Sequence, residues 1–167
     1  NFGLSELLLV DPPPVGPESE AYGFAGRARK DILPQATEVT YEALIANYHT
    51  VGFTSTPNAN DTKGIRHPVM TPDELAEHLA GVDSRTALVF GRERTGLTNE
   101  ELADLDTIAT IPAHPDYPVL NLGQAATVAM YACRELTLPN SQLPADRQDR
   151  ATETEIEALY DHIETFL

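Results

Sequence analysis

The sequence is poor in several residue types, and each scarcity excludes a class of protein. It has one cysteine, Cys133, so no internal disulfide can form, and we expect this residue to be a small buried hydrophobe rather than a reactive thiol. No apolar run is long enough to span a bilayer, and the run at residues 7–10 is too short for a secretory signal. We therefore expect a cytoplasmic protein without a membrane segment.

Positive charge is also scarce. The chain has 26 acidic and 11 basic residues, a net charge of −15, and only two of the basic residues are lysines. This balance ordinarily argues against a nucleic-acid partner, because phosphate binding needs a basic patch. Acidic, lysine-poor surfaces are typical of cytosolic proteins from salt-loving organisms, where salt screens charges over about 3 Å. We interpret the composition as that of a halophile, in which the few arginines carry most information.

The hydrophobic pattern alternates between strand and helix. It predicts strands at residues 6–10, 50–54, 87–90 and 107–111. It predicts helices at residues 19–30, 40–47, 71–80, 98–103, 121–135 and 154–167. Such alternation is typical of a parallel sheet covered by helices on both faces, so the predicted fold class is α/β.

The domain organisation follows from the same pattern. We expect one domain over residues 1–136, a polar linker over residues 137–153, and a final helix with an apolar stripe over residues 154–167. The opening stretch "NFGLSELLLVDP" has the pattern of a last helical turn followed by a strand. This pattern predicts a further strand and most of a helix upstream.

Two common nucleotide-binding motifs and a metal site do not fit the sequence. Leu97 stands where a P-loop would have its lysine, and the first strand ends in Asp-Pro-Pro-Pro rather than a Gly-x-Gly-x-x-Gly turn. The five histidines show no ligand spacing, so no metal is expected.

Three loops follow three predicted strands, at residues 54–56, 91–96 and 111–121. In an open parallel sheet, ligands bind beyond the carboxyl ends of the strands. A side chain at Gly91 or Gly96 would hold the backbone away from a ligand or forbid a turn with positive φ. A simple connection between strand and helix would explain the same glycines, so the loops alone leave both interpretations open.

Two stretches carry a family resemblance. "LVFGRERTGLTNEEL" and "IPAHPDYPVLNLGQAATVAMYACREL" resemble motifs 2 and 3 of the SPOUT superfamily of RNA methyltransferases. Within it they are most similar to the TrmJ branch, whose members methylate the ribose 2′-hydroxyl of nucleotide 32 in the tRNA anticodon loop. The resemblance covers residues 1–136 and implies a parallel sheet with a C-terminal deep trefoil knot. It also implies S-adenosyl-L-methionine as methyl donor, tRNA as substrate, and a homodimer formed through the last knot helix, residues 121–135.

The resemblance assigns roles to individual residues. The implied contacts with S-adenosylmethionine are Thr54, Ser55, Thr56, Gly91, Ile111, Val119, Leu120 and Asn121. The implied catalytic residues are Arg92, Tyr117 and Asn121, and the implied RNA contacts are Lys63, Arg66 and Arg94. The arginine that usually activates the hydroxyl in this family would lie upstream of residue 1.

Structural alternatives accompany these roles. Arg92 and Arg94 would otherwise form solvated ion pairs with Glu93 or Glu100, and Tyr117 would either stack on a base or fill the knot. Glu93 is expected to orient its loop through backbone N–H groups rather than act as a base. Lys63 and Arg66 would otherwise belong to a surface loop, and Asn121 is expected to cap the last helix.

The sequence departs from the family at two points. Val119 stands where relatives commonly have serine, and Pro57 and Asn58 stand where relatives tend to have arginine. These departures concern a serine hydroxyl and the substrate contacts of that loop. Separately, two alternative functions stay open beside the tRNA enzyme. One is a SPOUT methyltransferase acting on rRNA, and the other is a non-catalytic knotted RNA-binding module.

Overall fold

A computed structural model of the chain describes residues 2–55, 69–138 and 152–166. It consists of two units, Asn1–Thr137 and Leu138–Leu167. In the first unit the strands are β1 Leu8–Val10, β2 Thr37–Val39, β3 His49–Phe53, β4 Val69–Met70, β5 Thr86–Val89 and β6 Thr107–Ala109. Its helices are α1 Glu20–Phe24, α2 Ala28–Asp31, α3 Tyr41–Asn47, α4 Pro72–Leu79, α5 Asn99–Asp104, α6 Leu122–Ala132 and α7 Arg134–Thr137, with a 3₁₀ turn at Leu33–Gln35.

Every strand pairing that the structure describes is parallel. Strands β1 and β2 form a two-stranded sheet, and the other four form a second sheet in the order β4-β6-β3-β5. In the larger sheet the carboxyl ends of the strands lie at one edge, where the Thr54 amide donates to the Ala109 carbonyl at 3.1 Å. The predicted α/β class with a parallel sheet is confirmed.

Helices cover both faces of the four-stranded sheet. On one face, Val51 and Phe53 of β3 pack with Leu75 of α4 and Ala129 of α6. On the other face, Ile108 of β6 packs with residues of α3 and α5, among them Tyr41, Ile45 and Leu102. Cys133 lies buried in the first of these clusters, and burial raises the pKa of its thiol. The expectation that this cysteine is a small buried residue is therefore confirmed.

Three helices of this unit begin with the same device. In α4, α5 and α6 the residue before the helix accepts a backbone N–H three residues on, and the side chain there accepts the capping residue's own N–H. These capping boxes satisfy donors that the first turn of a helix leaves without partners. The capping pairs are Thr71 with Glu74, Thr98 with Glu101, and Asn121 with Gln124.

Some predicted boundaries were wrong. The helix predicted at residues 19–30 is two short helices, α1 and α2, separated by Ala25, Gly26 and Arg27. Glycine is a poor helix former, which accounts for the interruption. Strands β2 and β4 were not predicted, because three and two residues are too few to show a period. The helix predicted at residues 121–135 ends at Ala132 and is followed by the separate short helix α7.

The second unit contains helix α8, Glu153–Phe166. Thr152 and Glu155 form a capping pair at its start, since the Thr152 amide donates to the Glu155 carboxylate at 2.7 Å. The apolar residues Ile156, Leu159, Tyr160 and Ile163 are all exposed. In the parts of the chain that the structure describes, no helix combines the length and the apolar character needed to cross a membrane.

Candidate functional site

The loops after β3, β5 and β6 meet at the carboxyl edge of the four-stranded sheet and enclose a cavity of about 250 Å³. Six of the eight residues predicted to contact the methyl donor line it: Thr54, Ser55, Gly91, Ile111, Val119 and Leu120. Asn121 does not line the cavity, although Leu120 and Leu122 on either side of it do. Thr56 lies outside the described residues. The topology thus brings together most of the predicted donor site, and the roles themselves stay predictions.

Two phenylalanines that the sequence analysis did not single out form one wall of the cavity. Phe53 ends β3 and Phe90 follows β5, and their rings stack with centroids 4.7 Å apart and an interplanar angle of 14°. The register of the two strands pairs Gly52 with Val89, so the next residue on each strand falls side by side. Each of the two strands carries a phenylalanine at or directly after its carboxyl end in the sequence. Their stacking could have been predicted only if the register of the two strands had been known.

The loop at residues 91–96 is a closed turn whose two glycines have different purposes. The Gly96 amide donates to the Arg92 carbonyl at 2.8 Å, and the Arg92 amide donates to the Gly96 carbonyl at 3.2 Å. Gly96 has φ of +66°, a conformation that side-chain-bearing residues rarely adopt. A Cβ atom at Gly91 would collide with the backbone of Gly96 and Leu97. The close approach at Gly91 is therefore between two parts of the loop itself.

Arg92 is held by a carboxylate at the start of α5. Its guanidinium donates to both oxygens of Glu101 at 3.1 to 3.2 Å. An ion pair is the structural alternative for Arg92, and the structure shows one, with Glu101 rather than with Glu93 or Glu100. Glu101 is the third residue of α5, where the capping box turns its side chain back toward Thr98 and the loop. The Thr-x-x-Glu pattern in the sequence was the signal that could have identified this partner.

The ion pair shifts the pKa of both groups. Hydrogen bonds from Arg92 lower the pKa of Glu101, and hydrogen bonds to Glu101 raise the pKa of Arg92. The Glu101 side chain is 22% exposed and the Arg92 side chain is 63% exposed. The Tyr41 hydroxyl also donates to the Glu101 carbonyl at 2.9 Å, which fixes the first turn of α5. Arg92 therefore stays charged and is oriented by a well-anchored partner.

Glu93 joins the motif 2 loop to the first turn of α6. Its carboxylate accepts the Leu122 amide at 3.1 Å. The side chain of Asn121 accepts the Gln124 amide at 2.7 Å, so two of the free donors at the start of α6 are satisfied by side chains. The expectations that Glu93 binds backbone N–H groups and that Asn121 caps the helix are both confirmed. One carboxylate thus connects two walls of the cavity.

The remaining predicted residues are placed differently. Arg94 lines the cavity and is exposed, and it has no ion-pair or hydrogen-bond partner among the residues that the structure describes. Tyr117 is 80% exposed, so it does not fill the interior of this chain, and it does not line the cavity. Lys63 and Arg66 lie outside the described residues. Within residues 2–55, 69–138 and 152–166 no cluster of His, Cys, Asp and Glu could hold a metal ion.

Comparison with known proteins identifies the family. The model of the SpoU rRNA Methylase family matches residues 1–131. The chain is 32% identical to the tRNA (cytidine-2′-O-)-methyltransferase TrmJ of Methanocaldococcus jannaschii over 92% of its own length and 66% of that protein. It is 38% identical to the uncharacterized tRNA/rRNA methyltransferase LasT of Escherichia coli K12, over 99% of this chain and 70% of that protein.

A solved structure supports the same assignment. The crystal structure of TrmJ from Z. mobilis ZM4 superposes with a TM-score of 0.65 at 29% identity, covering 98% of this chain and 68% of that one. The chain spans about two thirds of the length of the curated TrmJ relatives it matches. The resemblance to the TrmJ branch and the SPOUT fold are confirmed by these matches. With its cavity built from motifs 2 and 3, the chain belongs to the SpoU rRNA methylase family.

Proposed function

We propose that this chain is the catalytic domain of an RNA methyltransferase that transfers a methyl group from S-adenosyl-L-methionine to a ribose 2′-hydroxyl. The proposed substrate is tRNA and the proposed site is nucleotide 32 of the anticodon loop. The observation that carries the proposal is the cavity at the carboxyl edge of the sheet, which motifs 2 and 3 wall together. The name of the M. jannaschii relative, a tRNA (cytidine-2′-O-)-methyltransferase, supports the ribose and the tRNA.

The chemistry of the cavity wall suits a bound S-adenosylmethionine. Phe53, Phe90, Ile111 and Leu120 offer apolar surface for an adenine ring, while the polar part of the wall includes Thr54 and the loop backbone. Its volume of about 250 Å³ is just below the range of about 300 to 1,000 Å³ that is common for small-molecule pockets. The proposed donor contacts also include Ser55, Thr56, Gly91, Val119, Leu120 and Asn121. When bound, the donor supplies an electrophilic methyl group on a sulfonium centre.

In this proposal Arg92 acts as a cation and not as a base. The Glu101 carboxylate raises the pKa of Arg92, so the guanidinium keeps its proton and can only donate hydrogen bonds. Because Glu101 holds it in one orientation, it is suited to bind the ribose or its neighbouring phosphate with little loss of conformational entropy. Arg92 would thereby align the 2′-hydroxyl for an in-line transfer.

The RNA contacts proposed for the rest of the site follow from exposure. Arg94 is exposed on the same loop and lacks a partner within the described residues, which suits a phosphate contact. Tyr117 is exposed beside motif 3, which favours stacking on a base over filling the interior. Lys63 and Arg66 are proposed as further RNA contacts on the sequence pattern alone. Asn121 is proposed to have a catalytic role because it lies between Leu120 and Leu122, which both line the cavity.

We further propose a homodimer formed through α6 and a chain threaded as a deep trefoil knot. The outward side of α6 exposes Leu122, Val128 and Tyr131. Ala125 and Ala126 are half-buried and small, which would allow close helix packing, whereas Ala129 is fully buried in the chain's own core. The similarity to the Z. mobilis structure supports the knotted fold. The relatives' substrate supports action in the cytoplasm, and the acidic composition supports a halophilic archaeon as source.

Calorimetric titration in about 1 M potassium chloride tests the donor site, since salt at that level screens the acidic surface. We expect saturable binding of S-adenosylmethionine and no binding of NAD. The binding-competent protein is then incubated with labelled donor and either tRNA or rRNA fragments, and the methylated nucleotide is mapped. Label on rRNA alone would contradict the tRNA proposal, and a folded protein that binds no S-adenosylmethionine would contradict the proposed enzyme activity.

A further inference from the structure

Most cations that the structure describes are engaged by carboxylates. Arg85 is bound to Glu6, Arg92 to Glu101, and Arg134 to Glu135. Arg27 pairs with Asp31 at 3.6 Å, and the other three described cations, Arg29, Lys30 and Arg94, have no such partner among the described residues. In a chain with a net charge of −15, these three are, among the described residues, the cations that no carboxylate occupies and that an RNA phosphate could bind.

Two of the three unpaired cations lie together on α2, away in sequence from the proposed methyl-transfer site. Arg27, Arg29 and Lys30 fall within four consecutive positions, so this stretch contains three of the chain's 11 basic residues. No aspartate or glutamate occurs from residue 21 to residue 30. The ion pair between Arg27 and Asp31 neutralises little of the positive charge of this stretch, because the Arg27 side chain is 94% exposed and exposed ion pairs are weak. Residues 24–30 therefore form a basic segment, which we call the α2 patch.

An exposed aromatic residue precedes these cations by a few positions in the chain. Phe24, the last residue of α1, is 90% exposed, the highest exposure among the large hydrophobic residues of the described chain. The chain then turns at Ala25 and Gly26, and the Ala28 amide donates to the Ala25 carbonyl at 2.9 Å as α2 begins. A ring exposed to this degree contributes nothing to the core, and it loses contact with water when a base stacks on it. Proteins that bind single-stranded RNA combine cations for the phosphates with exposed aromatic rings on which the bases stack.

We propose that the α2 patch is a second RNA-docking surface, at which Arg29 and Lys30 bind backbone phosphates and Phe24 stacks on an unpaired base. This inference rests on the proposed function, because it takes RNA as the substrate. It explains how a strongly acidic protein receives a polyanion: the RNA is held at residues 21–30, a stretch of the chain that contains no aspartate or glutamate. Arg27 remains available to exchange Asp31 for a phosphate.

Binding of a tRNA transcript, measured by filter retention between about 50 and 500 mM potassium chloride, tests this surface. The double variant Arg29→Ala/Lys30→Ala should lose roughly 25- to 60-fold more affinity at 50 mM than at 500 mM salt, because each lost phosphate contact removes about 0.7 to 0.9 of log-log slope over this tenfold range. It should also reduce the slope of log affinity against log salt by about two. Phe24→Ala should weaken binding by at least about fivefold with an unchanged slope, and Phe24→Trp should restore it.

Two controls separate this surface from general charge and folding effects. Arg29→Lys/Lys30→Arg keeps the charge and should bind tRNA normally, while Arg85→Ala removes a cation already bound to Glu6 and should have little effect. Calorimetric affinity for S-adenosylmethionine should be unchanged in every variant, which also reports that each is folded.

Each outcome separates the two proposals. Unaltered affinity and slope in both the double variant and Phe24→Ala would overturn the α2 patch and leave the enzyme proposal intact. Patch-dependent tRNA binding by a folded protein that does not bind S-adenosylmethionine would support the patch and overturn the enzyme activity. If the unaltered chain retains no tRNA at any salt concentration, the patch and the proposed tRNA substrate both fail.

Discussion

The substitution Gly91→Ala tests whether the geometry of the motif 2 loop makes the cavity. A Cβ atom at this position would lie 2.5 Å from the Gly96 carbonyl oxygen and closer still to the Gly96 carbonyl carbon and the Leu97 nitrogen. Ordinary contacts of a Cβ atom begin at 3.4 Å, and all three neighbours are backbone atoms that no rotamer change can move. The loop must therefore open, and its two hydrogen bonds between Arg92 and Gly96 must lengthen or break.

The expected cost follows from these contacts. Overpacking at a filled position costs about 1 to 3 kcal/mol, and each lost hydrogen bond adds about 1 kcal/mol. With both hydrogen bonds broken, we expect the free energy of unfolding to fall by about 3 to 5 kcal/mol and the affinity for S-adenosylmethionine to fall more than about tenfold, with a larger effect for Gly91→Val. Urea denaturation followed by circular dichroism gives the first quantity, and calorimetric titration of the folded variant gives the second.

A matched glycine provides the control. Gly23 lies in α1 with no atom within 4 Å of the position that a Cβ would take, so Gly23→Ala should change stability by no more than about 1 kcal/mol, toward greater stability. Normal donor affinity and normal stability in Gly91→Ala would refute the loop geometry and remove the cavity as the donor site.

Three further predictions concern the residues around the loop. Asn121→Ala removes the acceptor for the Gln124 amide, so we expect the free energy of unfolding in urea to fall by about 1 kcal/mol and donor binding to weaken by calorimetry. Asn121→Ser should keep the cap. Donor affinity unaffected by Asn121→Ala would argue against the proposed contact. Arg92→Ala should leave donor affinity unchanged but slow methyl transfer to tRNA by roughly 100-fold, and full activity would exclude the proposed aligning role. Arg92 lowers the pKa of Glu101, so the ion pair stabilises the fold above about pH 4.3, and this stabilisation is lost as the pH falls through the lowered pKa. Glu101→Gln should therefore flatten the decline of the free energy of unfolding between about pH 5 and about pH 2. An identical decline in the variant and the unaltered protein would contradict the pairing.

The general location of the site could be predicted, because it depends on a rule that the sequence obeys. Loops after strands of a parallel sheet meet at one edge, so residues as distant as Thr54 and Val119 come together once the strands are recognised. The starts of α4 and α5 were equally readable, since Thr71 and Thr98 stand three residues before a glutamate.

Other features depend on geometry that the sequence does not contain. Glu93, Glu100 and Glu101 are all near Arg92 in the chain, and only the direction of the capping side chain selects Glu101. The stacking of Phe53 on Phe90 needs the register of two strands. The break between α1 and α2 likewise depends on geometry. The helical pattern predicted one continuous helix at residues 19–30, so the turn that separates Phe24 from the cations of the α2 patch was not apparent from the sequence.

The hydrogen bond between Glu93 and the start of α6 has a consequence for how the protein folds. It joins residues 29 positions apart, and the parallel strand pairs beneath it also join segments that are distant in the chain. Contacts of this kind require long loops to close before they contribute stability, which slows folding. The cavity therefore has no local precursor: it comes into existence only when the sheet, the motif 2 loop and α6 have all assembled, so donor binding should report the final step of refolding rather than the recovery of helices.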